Sequence, residues 1–209
     1  MHLIIAGAGK TGRSLLHLFR DHHHMSLTVI DLDPKKCERI SEAFPFADIV
    51  LGDVTHPGTL REAISGKTRA FIAVTGDDHS NLLASAAAVR MGIERVMLRV
   101  LSPEYRDLAE IMGLGDVLDP ADSFSAQVVT RMNGVDLARL VHDCYPGLQM
   151  RIVSAAGPTL AGVALRELPG RLREQVHPVL VLREGTYRLP SEVEAVEVGD
   201  EILVWQRSR

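Results

Sequence analysis

Short apolar runs alternate with longer segments of mixed polarity through the first two thirds of the chain. Leu3-Ile4-Ile5-Ala6 is apolar throughout, and apolar residues dominate 27–31, 47–51, 70–74 and 95–100, with a shorter run at 116–118. These runs predict strands. Between them, 34–44, 56–64, 79–91, 103–112 and 121–140 read as helices. Thr75-Gly76-Asp77-Asp78 is an N-cap cluster, and Ser102-Pro103 sets a cap residue before a proline at the first helical position. Alternation of strand and helix predicts parallel βαβ units and an α/β, Rossmann-like parallel sheet. Within 121–140, Phe124, Val128, Val129, Met132, Leu137 and Leu140 form one apolar stripe.

The rhythm changes near residue 143. Cys144-Tyr145-Pro146-Gly147 is a turn-rich break and the expected boundary. Beyond it the pattern predicts strands at 150–154, 178–183 and 201–206, a helical piece at 161–168 and a turn at Glu184-Gly185. This second, small unit of roughly sixty residues is short for independent stability, so a partner copy is expected to support it.

The first strand runs into Gly7-Ala8-Gly9-Lys10-Thr11-Gly12, with G-x-G-x-x-G spacing. Gly7 permits the tight turn, Gly9 lets backbone approach a pyrophosphate, and Gly12 lets the following helix pack on the strand. Phosphates would sit at the helix N-terminus, where unpaired N–H groups and the dipole favour an anion. The second strand ends at Asp31, 19 residues after Gly12, where a carboxylate would accept hydrogen bonds from an adenosine ribose. Asp31-Leu32-Asp33-Pro34 is also good turn chemistry on its own. Strand, loop, helix and acid occur in the order that an adenine-nucleotide site requires. The acid disfavours a 2′-phosphate, so NAD or a simple adenine nucleotide is expected rather than NADP.

Composition narrows the classes. The 209 residues are 46% hydrophobic, enough for a substantial core, and the net charge of −4 leaves no electrostatic footprint for nucleic acid. Cys37 and Cys144 are isolated, as reduced thiols in a cytoplasmic protein would be. The N-terminal apolar run is already the first strand, so no signal peptide and no direct membrane insertion are expected.

Several residues carry two readings. Lys10 either contacts a terminal phosphate or is solvated. Asp77 and Asp78 either touch a ligand or only cap a helix. His22-His23-His24 reads as a solvated loop rather than a metal tract, and His79 and His177 lack companions at ligand spacing. Arg99 lies inside an otherwise apolar strand, so a ligand phosphate or an internal carboxylate is expected to neutralise it.

The glycine loop, Asp31, Gly52-Asp53-Val54-Thr55, Val74-Thr75-Gly76-Asp77-Asp78 with Asn81, and Arg99-Val100 before Ser102-Pro103 together resemble the N-terminal lobe of RCK domains. RCK domains regulate potassium channels and the Trk/Ktr potassium transporters. After Met150, Leu160-Ala161-Gly162, the strand leaving in Arg183-Glu184-Gly185, and Gly199-Asp200 before the last strand resemble the C-terminal RCK lobe. The resemblance implies a Rossmann lobe over 1–120, a crossover helix and linker over 121–146, and a C-lobe over 147–209. It implies a phosphate loop of Gly7, Gly9, Lys10, Thr11 and Gly12, ribose contacts at Asp31 and Leu32, and adenine contacts at Asp53, Val54 and Thr55. Thr75, Gly76 and Arg99 would close the far side. Some ATP-binding relatives carry an acid just after the proline that follows strand six. Here that position is Ala121, with acids at Asp119 and Asp122, which argues against a cation site there.

By the same resemblance the chain is a cytoplasmic regulatory subunit, peripheral to the membrane through its partner. The partner would be a potassium-translocating membrane subunit. The chain would form homodimers in a larger, octameric ring and bind NAD(H) or ATP/ADP, with cyclic di-AMP as a further ligand of the C-lobe. The rival class is a small NAD-dependent oxidoreductase. Tyr-x-x-x-Lys chemistry is absent, because no lysine follows Lys67. No G-x-S-x-G is present either, and the C-terminal piece offers only His177 as an acid–base group. A sensor is expected, not an enzyme.

Overall fold

The computed structural model describes residues 1–20, 25–134, 136, 148–157, 159–172 and 175–207. His22-His23-His24, residues 137–140 and the Cys144–Gly147 break lie outside the described residues. The chain divides into two compact units, residues 1–137 and 138–209.

The first unit is a six-stranded parallel sheet in the order β3-β2-β1-β4-β5-β6, flanked by helices. Its strands are β1 (His2–Ala6), β2 (Ser26–Asp31), β3 (Ala47–Leu51), β4 (Thr68–Ala73), β5 (Arg95–Arg99) and β6 (Val117–Leu118). Its helices are α1 (Lys10–Phe19), α2 (Pro34–Ala43), α3 (Pro57–Ala63), α4 (Asp78–Arg90), α5 (Pro103–Ile111) and α6 (Pro120–Met132). Central strand β1 is buried at every position. Because side chains alternate across a strand, Leu3 and Ile5 join one core with Leu16 of α1 and Ile40 of α2. Ile4 and Ala6 join the other, with Leu60 of α3 and Leu82 and Ala88 of α4.

Local chemistry sets the helix starts. Four of these helices, α2, α3, α5 and α6, begin with proline, whose fixed φ and missing N–H suit the first turn. Asp33 and Asp119 cap α2 and α6 by accepting the Lys35 and Ala121 amides. The helix expected over 121–140 stops at Met132. Asn133 is its C-cap, and Gly134 at φ +77° takes the left-handed conformation that ends helices. No side chain of α6 is buried within the chain, and Phe124 and Met132 are 68% and 83% exposed.

The second unit is a four-stranded antiparallel sheet in the order β7-β10-β8-β9. Its strands are β7 (Leu148–Ser154), β8 (Val176–Arg183), β9 (Thr186–Arg188) and β10 (Glu201–Arg207), with the short helix α7 (Leu168–Leu172). Val153, Leu168, Val181, Ile202 and Val204 form its core. The helical piece expected over 161–168 is displaced. Gly162 sits at φ +78° and Ala164 bridges Ala195, so helical turns start only at Leu165. Inside this unit Arg183 donates from Nε and Nη2 to the two carboxylate oxygens of Asp200, at 2.9 and 2.8 Å. It also bonds the Ala195 carbonyl and Glu197.

Candidate nucleotide site

The C-terminal ends of β3, β2, β1 and β4 border a cavity of about 290 Å³. Ligands of open parallel sheets bind at this end, where strand order reverses. The three glycines of the loop after β1 have three different surroundings. Gly7 has φ +114°, and a Cβ there would stand 2.9 Å from the Val74 and Thr75 backbone. A Cβ on Gly12 would stand 2.0 Å from the Gly7 carbonyl oxygen, so α1 meets the loop backbone to backbone. Gly9 has nothing within 4 Å of its Cβ position. As the N-cap of α1 it offers no side chain to the first-turn amides, so no side-chain cap closes this helix start.

Asp31, at the end of β2, braces that loop. Its carboxylate accepts the Ala8 amide at 2.7 Å and the Asp33 amide at 2.9 Å, with Lys36 Nζ at 3.7 Å. The side chain is 9% exposed. A carboxylate has about four acceptor positions, so these partners leave room for a ribose hydroxyl. After β3, Asp53 accepts the Thr55 amide and hydroxyl at 2.8 and 2.7 Å. These two bonds hold its pKa below the usual carboxylate range.

After β4, Asn81 of α4 organises the far wall. Its Oδ1 accepts the Thr75 amide and hydroxyl at 2.9 and 2.7 Å, and its Nδ2 donates to the Arg99 carbonyl at 2.9 Å. Asp77 caps α4 by accepting the Ser80 amide and hydroxyl at 2.8 and 2.6 Å, which hold its pKa below the usual range. Buried Asp78 accepts the Leu101 and Ser102 amides at 2.8 and 2.9 Å, an internal brace.

Gly7, Gly9, Asp31, Leu32, Asp53, Val54, Thr75 and Gly76 line the cavity; Lys10, Thr11, Gly12 and Arg99 do not. Lys10 and Thr11 are exposed on the first turn of α1, and Gly12 is buried beneath Gly7. Thr55 spends its amide and hydroxyl on Asp53 and also stays outside the lining. Arg99 finds no internal carboxylate among the described residues. Its Nη2 donates to the Thr75 carbonyl at 2.6 Å, while its Nε is buried without a partner among the described residues. Among the described residues a backbone carbonyl, and no carboxylate, is bonded to the Arg99 guanidinium.

The lining also contains residues that the pattern did not single out as ligand contacts. Ile30, Gly52 and Val74 are backbone-proximal walls, and Ser80 accompanies Asp77. Lys36 was legible only through helix geometry: with Asp33 as N-cap it stands in the first turn of α2, over Asp31.

Residues 3–120 match the TrkA-N domain family. Among similar proteins, the "Trk system potassium uptake protein TrkA homolog" of Archaeoglobus fulgidus is 29% identical over 98% of this chain and 47% of its own length. The "Trk system potassium uptake protein TrkA" of Streptomyces coelicolor is 28% identical over 100% of this chain and 91% of its own. The chain thus spans about half the length of the first relative and nearly all of the second. Among solved structures, the GsuK channel bound to NAD superposes with TM-score 0.51 at 18% identity, covering 99% of this chain and 37% of that one. The TrkA-N domain of the Escherichia coli inner membrane protein ybaL gives TM-score 0.55 at 15% identity, over 63% of this chain and 96% of that one. At these identities the superpositions establish a shared fold. With a parallel sheet, a glycine loop at the end of its first strand and more than half of its length matched, the chain belongs to the TrkA-N domain family.

Proposed function

We propose that the chain is a nucleotide-sensing regulatory subunit of a Trk/Ktr-type potassium uptake system, binding NAD(H) or ATP/ADP between the glycine loop and Asp31. The observation that carries this reading is the set of three glycine environments. Gly7 and Gly12 are held by backbone contacts, while Gly9 opens onto the cavity beside an uncapped helix start. The names of the relatives in Archaeoglobus and Streptomyces supply the potassium-uptake context, and the NAD-bound GsuK channel shares the fold.

Sensing is favoured over turnover. Asp53 and Asp77 are each held in the ionised form by two hydrogen bonds, which makes them weak proton acceptors near neutral pH. Lys36, the cation in the lining, pairs with Asp31. The domain reading is a nucleotide lobe over 1–120, a crossover segment over 121–146 and a C-lobe over 147–209. The exposed apolar side chains of α6 support a homodimer in which this helix packs on a second copy, within a larger ring. Ligands with different affinities for two ring conformations would shift their populations and so gate a membrane subunit. Cyclic di-AMP is the further ligand to test, at the C-terminal unit.

Thermal-shift titration with NAD, NADH, ADP, ATP and cyclic di-AMP tests the binding step, because selective binding to the folded state raises its melting temperature. Co-purification with a Trk- or Ktr-type membrane subunit, and ligand-dependent potassium flux, test the regulatory step. Steady turnover of NADH with carbonyl substrates would overturn the reading.

A further inference from the structure

The cavity has a direction. Strand order places Asp53 beyond β3, Asp31 at the end of β2, the glycine loop after β1 and Asp77 after β4, in succession across the sheet. An adenine nucleotide with its ribose at Asp31 and its phosphates on the glycine loop therefore points whatever follows the phosphates toward Gly76 and Asp77. At this end the lining group is a carboxylate. Lys36 stands at the opposite end, 3.7 Å from Asp31. Arg99, at the end of the neighbouring strand β5, stays outside the lining, with Nη2 committed to the Thr75 carbonyl.

Asp77 uses one oxygen as the helix cap. Oδ2 accepts both bonds from Ser80, and Oδ1 carries no hydrogen bond among the described residues. An ionised, solvent-facing oxygen repels a terminal phosphate and accepts hydroxyl donors. It mirrors Asp31, whose carboxylate stands on the other side of the same loop.

We infer that Asp77 is a specificity-determining residue of the nucleotide site. It disfavours adenine nucleotides that end in phosphate and favours those that continue past the pyrophosphate into a second, hydroxyl-bearing riboside. NAD(H) and ADP-ribose belong to the favoured class, ADP and ATP to the disfavoured one. The inference rests on the nucleotide-binding reading above and adds a ranking to it.

The test is calorimetric titration of the full chain at low ionic strength with NAD, ADP-ribose, ADP and ATP, for the wild type, Asp77→Asn and Asp77→Ser. Asn and Ser are both good N-cap residues, so each variant keeps the start of α4 while removing the charge. The wild type should bind NAD and ADP-ribose more tightly than ADP and ATP. Either substitution should raise ADP and ATP affinity by on the order of tenfold without raising NAD affinity. Added salt should narrow the wild-type gap more than that of the variants, because screening acts on the Asp77 charge only where it is present. Tighter wild-type binding of ATP than of NAD, or ratios unchanged in both variants, overturns the role of Asp77 while leaving nucleotide binding in place. A wild-type chain that binds none of the four overturns both.

Discussion

The two sheets of this molecule are buried differently, and the contrast runs through the rest of its behaviour. In β1 every residue is enclosed, with Leu3 and Ile5 in one core and Ile4 and Ala6 in the other. In β10 only alternate residues are enclosed. Ile202 and Val204 enter the core, while Leu203 and Trp205 stay half-buried on the opposite face, beside exposed Met150 and Ile152 of the paired strand β7. A sheet covered by helices on both faces depends on packing volume. A sheet covered on one face must draw stability from elsewhere, and here the Arg183–Asp200 pair, at the ends of the two central strands β8 and β10, supplies a polar anchor.

Phe71→Ala should break the first unit most severely. Phe71 is fully buried in β4, and its removal should cost about 3–5 kcal/mol, read as a lower urea midpoint. Arg183→Met should break the second unit by a different route, leaving Asp200 buried without its cation. A loss of about 3 kcal/mol is expected, smaller in Arg183→Met/Asp200→Leu, where no lone charge remains.

A gentler probe of the first unit is pH. His2, at the start of β1, is buried between the Thr68 and Thr28 hydroxyls at 2.7 and 2.9 Å. Burial lowers its pKa, against a smaller opposing pull from Asp48. The unfolded chain therefore binds more protons, and the neutral ring's contribution is complete above the ordinary histidine pKa of about 6.5 and is lost as pH falls below it. The melting temperature of the wild type should fall between pH 7 and pH 5 more steeply than that of His2→Gln. The smallest effect belongs to the uncovered face of the second sheet. Ile152→Ser should change the stability of the isolated chain by less than about 0.5 kcal/mol, because the side chain is 61% exposed.

What could be read from residues alone follows the same contrast. Strand β2, enclosed on both faces, is a nearly continuous apolar run and was legible as 27–31 to within one residue; edge strand β3 was legible to the residue as 47–51 although Asp48 and Leu51 are exposed. Asp33-Pro34 and Ser102-Pro103 marked helix starts through backbone chemistry that needs no tertiary context. The second unit was harder. Strand β9 is three exposed residues with no apolar signal, and Gly162 and the Ala164–Ala195 bridge displaced a helix whose composition looked adequate. In the cavity, Gly7, Gly9 and Asp31 were legible, as was Gly12 packed beneath the loop, because spacing alone specifies a strand–turn–helix. The partner of Arg99 was not, since a carbonyl belongs to every residue and leaves no mark in the sequence.

The hydrogen bonds of Asn81 and Asp78 have a mechanical meaning. One side chain near the start of α4 grips the loop after β4 and the end of β5 together, and the other holds the two amides that lead into α5. Thr75, the carbonyl of Arg99 and the amides of Leu101 and Ser102 are thus riveted to a single turn of helix. A molecule pressing on Thr75 and Gly76 loads a stiff bracket, and any yielding must reach the start of α5 along with the loop it touches.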